Sequence, residues 1–149
     1  MGSMSPMHDA GACAAVRAQF LAVRAMSEAL VQGLSADDCM VQSMPDASPV
    51  KWHLAHTSWF FEQFILGPAG RPPFDARYAA LFNSYYVGAG TRHPRPHRGD
   101  LSRPPLGDVM AYRRHVTEAI AGLLAHATPE VAQRVRLGLE HEQQHQELI

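Results

Sequence analysis

Apolar positions recur at helical spacing through most of the chain, and nowhere do they alternate as a strand would. Between residues 14 and 34, Val16, Phe20, Val23, Leu30 and Leu34 form one stripe, and Gly33 stands where such a helix would end. Residues 35–45 are polar and turn-like, with a short helical turn at residues 35–38. A second helix has a clear start, with Ser48 as N-cap and Pro49 at the first helical position. It carries Trp52, His56, Trp59, Phe60 and Phe64 and stops at Gly67 and Pro68. A third helix is expected over residues 106–125, with Val109, Tyr112, Val116, Ile120 and Leu123 inward. A fourth opens at Thr128 and Pro129 and runs through Val131, Val135 and Leu139 to the last residue. No glycine, proline or basic last turn stops it, so the chain reads as the N-terminal part of something longer.

The second and third helices are separated by residues 67–103, far more than an ordinary helix–helix link. Pro68, Pro72, Pro73, Gly88, Gly90, Pro94 and Pro96 interrupt that connector, while the aromatic run at residues 81–86 (LFNSYY) predicts that it packs on the helices. The fold class is therefore all-α, a four-helix bundle with a long Pro/Arg-rich crossover. Residues 1–12 are expected to be a disordered tail or tag remnant, and residues 13–149 one domain.

Composition narrows the function. A net charge of −1 gives no electrostatic reason to expect nucleic acid or an anionic membrane. No apolar run approaches the ~20 residues of a membrane span, and the N-terminus lacks a signal peptide's basic start and apolar stretch. Two cysteines, Cys13 and Cys39, lie at no ligand spacing and fit a reducing cytoplasm. The unusual feature is histidine, with nine residues.

His141 and His145 stand four apart on the last helix, hence on one face and one turn apart. Such a pair can converge on one divalent ion from a rigid support; the alternative is a solvated, polar helix end. His56, flanked by Trp52, Trp59 and Phe60, lies on an inward face. It is either a third ligand or a core histidine bonded to a carbonyl. His53 is rotated about 60° from His56 and suits a hydrogen-bonding neighbour. Glu147, two residues past His145, is turned about 200° away and is expected to support a ligand or a neighbouring helix instead. His8, His93, His97, His115 and His126 read as structural or solvated. Residues 141–145 (HEQQH) also match the zinc-protease pattern HExxH, in which Glu142 would be general base. That match is short, Leu148 stands where one extended form needs glycine, and the helical body lacks the strands of a protease cleft.

Four blocks in order carry a resemblance: residues 48–57 (SPVKWHLAHT), 81–86 (LFNSYY), 92–103 (RHPRPHRGDLSR) and 141–147 (HEQQHQE). They resemble the N-terminal region of ergothioneine-biosynthesis sulfoxide synthases, also called hercynine oxygenases, from about residue 34 onward. The resemblance implies a DinB-like four-helix domain in which His56, His141 and His145 hold Fe(II), with Gln144 approaching the substrate imidazole. It implies O₂-dependent joining of a cysteine-derived thiol (γ-glutamylcysteine or cysteine) to the imidazole C2 of hercynine as a sulfoxide. Arg92, Arg95, Arg98 and Arg103 would suit co-substrate carboxylates; a solvated basic loop is the alternative. Members of that family continue into a domain resembling the formylglycine-generating enzyme, which supplies a catalytic tyrosine. That partner domain is not in this chain, and no catalytic residue is assigned within it. The same ligands would serve a relative joining a selenosugar to hercynine, a DinB-like metal-dependent thiol S-transferase, or a non-catalytic metal-binding bundle.

Overall fold

The computed structural model describes residues 6–84 and 93–149. Six α-helices are formed among them: α1 (Pro6–Leu30), α2 (Ala36–Met40), α3 (Val50–Phe61), α4 (Tyr78–Leu81), α5 (Leu106–Leu124) and α6 (Pro129–Gln146). The described residues form no strand, only an isolated bridge between Met44 and Ala47, so the fold is all-α as expected. The helix α1 packs on α5 and α6, and α3 packs on the same two. The bundle is thus a square with α1 opposite α3 and α5 opposite α6. No helix among the described residues is long and apolar enough to cross a membrane.

Local chemistry accounts for most boundaries. Ser35 and Asp38 cap α2 reciprocally, each side chain taking the other's backbone N–H. Thr128 caps α6 with Pro129 following, as its sequence predicts. The cap of α3 differs from expectation by one residue. Pro49 is the N-cap, and the Ser48 hydroxyl instead accepts from Arg98 Nη1 at 2.8 Å. A long-range cation outbids the local N–H for that oxygen. After Phe61 the helix widens into a π-helical turn, Glu62–Leu66, closed where Gly67 N–H donates to Glu62 O at 2.8 Å.

The expected α1 stripe also needs correction. Residues 1–5 of the expected tail lie outside the described residues, and Pro6–Ala12 belong to α1. Val16, Phe20 and Val23 are buried, but Leu30 and Leu34 are 49% and 44% exposed. The inward face drifts through Arg24 and Ser27 to Val31, and Gly33 (φ 92°) then turns the chain away. At the far end of α5, Leu124 fills the core position and Leu123 is only half-buried. The helix α3 is the innermost, buried at every residue from Lys51 to Phe61. Its polar residues Lys51, His53, His56, Thr57 and Ser58 are buried with the apolar ones, so each must find a partner inside the protein.

Candidate metal centre

The connector lies along α3, and its carbonyls meet the ring N–H groups of that helix. Trp59 Nε1 donates to Ala79 O at 3.0 Å and Trp52 Nε1 to Leu81 O at 3.3 Å. Between them, His56 Nδ1 donates to Phe82 O. Trp52, His56 and Trp59 are spaced four and three apart, so one strand of connector serves all three. The aromatic run therefore packs on the bundle through Phe82, Asn83 and Ser84, all buried; Tyr85 and Tyr86 lie outside the described residues.

That carbonyl determines the tautomer of His56: with Nδ1 protonated, Nε2 carries a lone pair. It faces His141 Nε2 at 3.1 Å. One ligand nitrogen from each of His56, His141 and His145 lies within 4.8 Å of the others. Metal–imidazole bonds of about 2.0–2.1 Å at right angles place neighbouring nitrogens roughly 3 Å apart. His141 Nδ1 is buried with no hydrogen-bond partner among the described residues, so the protein's own groups do not saturate the cluster. Spacing and tautomer both fit a bound metal ion.

His53 takes the supporting place expected of it. Its Nδ1 is 2.9 Å from His145 Nδ1; when His145 donates there, its Nε2 is left with a lone pair. Aromatic faces hold the rings: Trp52 and Trp59 stack on the two sides of His56, centroids 4.4 and 5.3 Å away, and Phe60 stacks on His141 at 4.2 Å. Burial, reinforced by the neighbouring imidazoles, keeps these rings neutral. His53 and His141 are pushed down to about 3 and His145, chiefly by burial, to about 4. His56 is held well below its ordinary value by burial, then by His145 and His141. Neutral imidazole is the metal-binding form.

The HExxH reading fails on geometry. Glu142 is fully buried on the face of α6 adjacent to the histidines, turned about 100° from His141 and about 60° from His145. Its carboxylate accepts from Ser27 Oγ and Arg113 Nη2, both at 2.8 Å, and from Arg24 Nη1 at 3.2 Å. With those partners taking up both oxygens deep in the core, it is not free to serve as general base for a water at the histidine cluster. Burial alone would raise its pKa, but the Arg24 and Arg113 guanidiniums outweigh that and hold it ionised. Arg24 and Arg113 sit in apolar stripes and are not singled out by the chain's pattern. Their signal is a cation at an inward helical position, Arg24 beside Val23 and Arg113 beside Tyr112.

Glu147 is exposed at the C-cap of α6. The inter-helix contact expected of it falls to Gln146, whose Nε2 donates to Val23 O and Ser27 Oγ, each at 2.9 Å. Gln144 lines a cavity of about 630 Å³ beside the cluster, with Phe60, Phe64, Leu137, Glu140 and His141. Arg98 is buried in the connector turn Arg95–Asp100, its guanidinium 3.5 Å from the Trp52 ring centroid. Gln42 clamps that turn, donating to Arg95 O at 2.8 Å and accepting from Gly99 N–H at 2.6 Å. Gly99 is needed there, since a Cβ would lie 2.6 Å from Gln42 Cβ. Arg95 itself is half-buried in this turn and does not line the 630 Å³ cavity. Arg103 is exposed beside a second cavity, and Arg92 lies outside the described residues. His93 and His97 bond within the turn, the first to His97 O and the second to Asp100. His115 and His126 are exposed, and His8 falls in the first turn of α1.

A family model described as the DinB superfamily matches residues 19–149. The chain belongs to that superfamily. No curated protein matches it at a significant level.

Proposed function

We propose that this DinB-superfamily chain holds ferrous iron on His56, His141 and His145. In this reading it is the metal-binding region of an oxygenase that joins a cysteine-derived thiol to the imidazole C2 of hercynine as a sulfoxide. The observation that carries the metal site is the His56–His141 Nε2 pair at 3.1 Å with His145 alongside. The four sequence blocks carry the choice of iron and substrates. Held by His56, His141 and His145 as neutral imidazoles, iron(II) would supply the redox chemistry.

The remaining roles belong to the chain's own residues. The Phe82 carbonyl orients His56, and His53 orients His145. Gln144, at the rim of the 630 Å³ cavity next to His141, offers an amide to the hercynine imidazole. Arg98, held over Trp52 by stacking and by Ser48, puts a cation beside the His53–His145 pair, and Arg95 lies in the same turn. Both suit the carboxylates of γ-glutamylcysteine or cysteine. A further C-terminal domain would complete the pocket and supply the catalytic tyrosine. Free, buried Cys13 and Cys39 fit a reducing cytoplasm.

The decisive experiment is O₂ consumption with hercynine and γ-glutamylcysteine or cysteine, on this chain and on any longer parent chain. Thiol-dependent O₂ uptake with sulfoxide product by the longer chain is expected. Its absence there overturns the oxygenase reading, and metal-dependent thiol transfer without O₂ would replace it with an S-transferase. Sulfoxide formed only with a selenosugar donor would move the assignment to the selenium-handling relative.

A further inference from the structure

The two bundle helices that carry no candidate ligand, α1 and α5, each send one buried arginine across the core. Both arginines grip both ligand-bearing helices. On α3, Arg24 Nη2 donates to Ser58 Oγ at 2.7 Å, and Arg113 Nη1 donates to Leu54 O at 3.0 Å and Thr57 Oγ1 at 2.8 Å. Leu54, Thr57 and Ser58 bracket His56. On α6, the same guanidiniums meet Glu142, which lies between His141 and His145. Each arginine also ties α1 to α5, Arg24 Nη2 reaching Arg113 O at 3.0 Å and Arg113 Nη2 reaching Arg24 O at 3.2 Å.

We propose that Arg24, Arg113 and Glu142 form a register lock that sets the distance of His56 from His141 and His145. They are positioning residues for the metal, and the inference rests on the metal-site reading above. Neither α3 nor α6 can rotate or slide without breaking contacts to both guanidiniums. Stability alone does not call for such a cluster. Burying ions is costly, and an apolar trio of similar volume is often as stable or more so. Directional, charge-assisted hydrogen bonds supply what an apolar core lacks, a single helix register. The two ligand halves come from helices far apart in sequence, and beside the direct packing of α3 on α6 this cluster contacts both at once.

The test compares wild type, Glu142→Gln, and the apolar triple variant Arg24→Met/Arg113→Leu/Glu142→Leu. Anaerobic Fe(II) affinity is read by chelator competition, ligand geometry by the absorption bands of bound Co(II), and stability by thermal melting. Both variants are expected to bind Fe(II) about 10-fold more weakly, the lower end of the loss seen when a ligand's own hydrogen-bond partner is removed, since these residues act through the helices. Their Co(II) bands shift, although the triple variant melts at or above the wild-type temperature. Either variant, once folded, carries the test alone. A folded variant with wild-type Fe(II) affinity and Co(II) bands overturns the lock. Wild type binding neither ion would overturn the metal-site reading, and the lock with it.

Discussion

Two polar layers are buried in this bundle, about one helix face apart, and they are built in opposite ways. The histidine layer is made of neutral rings, with the His56 and His141 Nε2 atoms turned toward each other and His141 Nδ1 without a partner. The arginine–glutamate layer is made of full charges, and its carboxylate is met by two guanidiniums and a hydroxyl. A saturated network has nothing left to offer a ligand, whereas an unsaturated one costs free energy until something fills it. The first is scaffold and the second the candidate site, although one pentapeptide, HEQQH, feeds both.

Substitutions should separate the two layers. The largest stability effect is expected from Arg113→Ala, which leaves Glu142 partly uncompensated; losses of about 3–5 kcal/mol are typical, measurable by chemical denaturation. His141→Ala should do the reverse. Fe(II) affinity should fall by more than the roughly 100-fold typical of outer partners, while the melting temperature of the metal-free protein changes little. A large melting shift there would blur the division.

Gly138→Ala probes how closely the layers are coupled. An added Cβ would sit 2.4 Å from Phe61 Cε1, so the buried Phe61 ring or α6 itself must shift, one turn before His141. Overpacking of this kind costs about 1–3 kcal/mol, and weaker Fe(II) binding should accompany it. Unchanged binding would show that the lock absorbs the displacement.

Acid separates the layers by pH. The cluster histidines have folded pKa values below the ordinary 6.5, at about 3 to 4 where a figure applies. The unfolded chain therefore takes up protons first. Stability of the metal-free protein should be flat above pH 6.5 and fall below it, each ring adding up to about 1.4 kcal/mol per pH unit. Glu142, with a depressed pKa, contributes stability above about 4.5, its ordinary value, that is lost as pH falls through its folded value. Melting curves between pH 8 and 3 should show the histidine limb first. A decline that begins only below 4.5 would mean the rings are not neutral by burial.

The bundle was legible because long helices write their period into the chain, and Thr128–Pro129 announced α6 locally. The His141–His145 pair was legible for the same reason. His56 was ambiguous between ligand and core histidine bonded to a carbonyl, and the structure shows why: it makes that bond, to Phe82, on one nitrogen and presents the other. The choice depends on a carbonyl 26 residues away, which no local pattern encodes. Ser48 misled for a related reason, since Arg98, 50 residues on, takes its hydroxyl. Arg24 and Arg113 were invisible as a pair because their common partner, Glu142, lies on a third helix.

The stacking around His56 has an optical consequence. The chain has two tryptophans, and both lie with their ring planes 13° from that of His56. All indole emission of the protein therefore originates beside one candidate ligand. A paramagnetic ion held there would quench it almost completely, while a closed-shell ion such as zinc would leave it bright. Indole emission would then serve as a gauge of which metal the candidate site takes up.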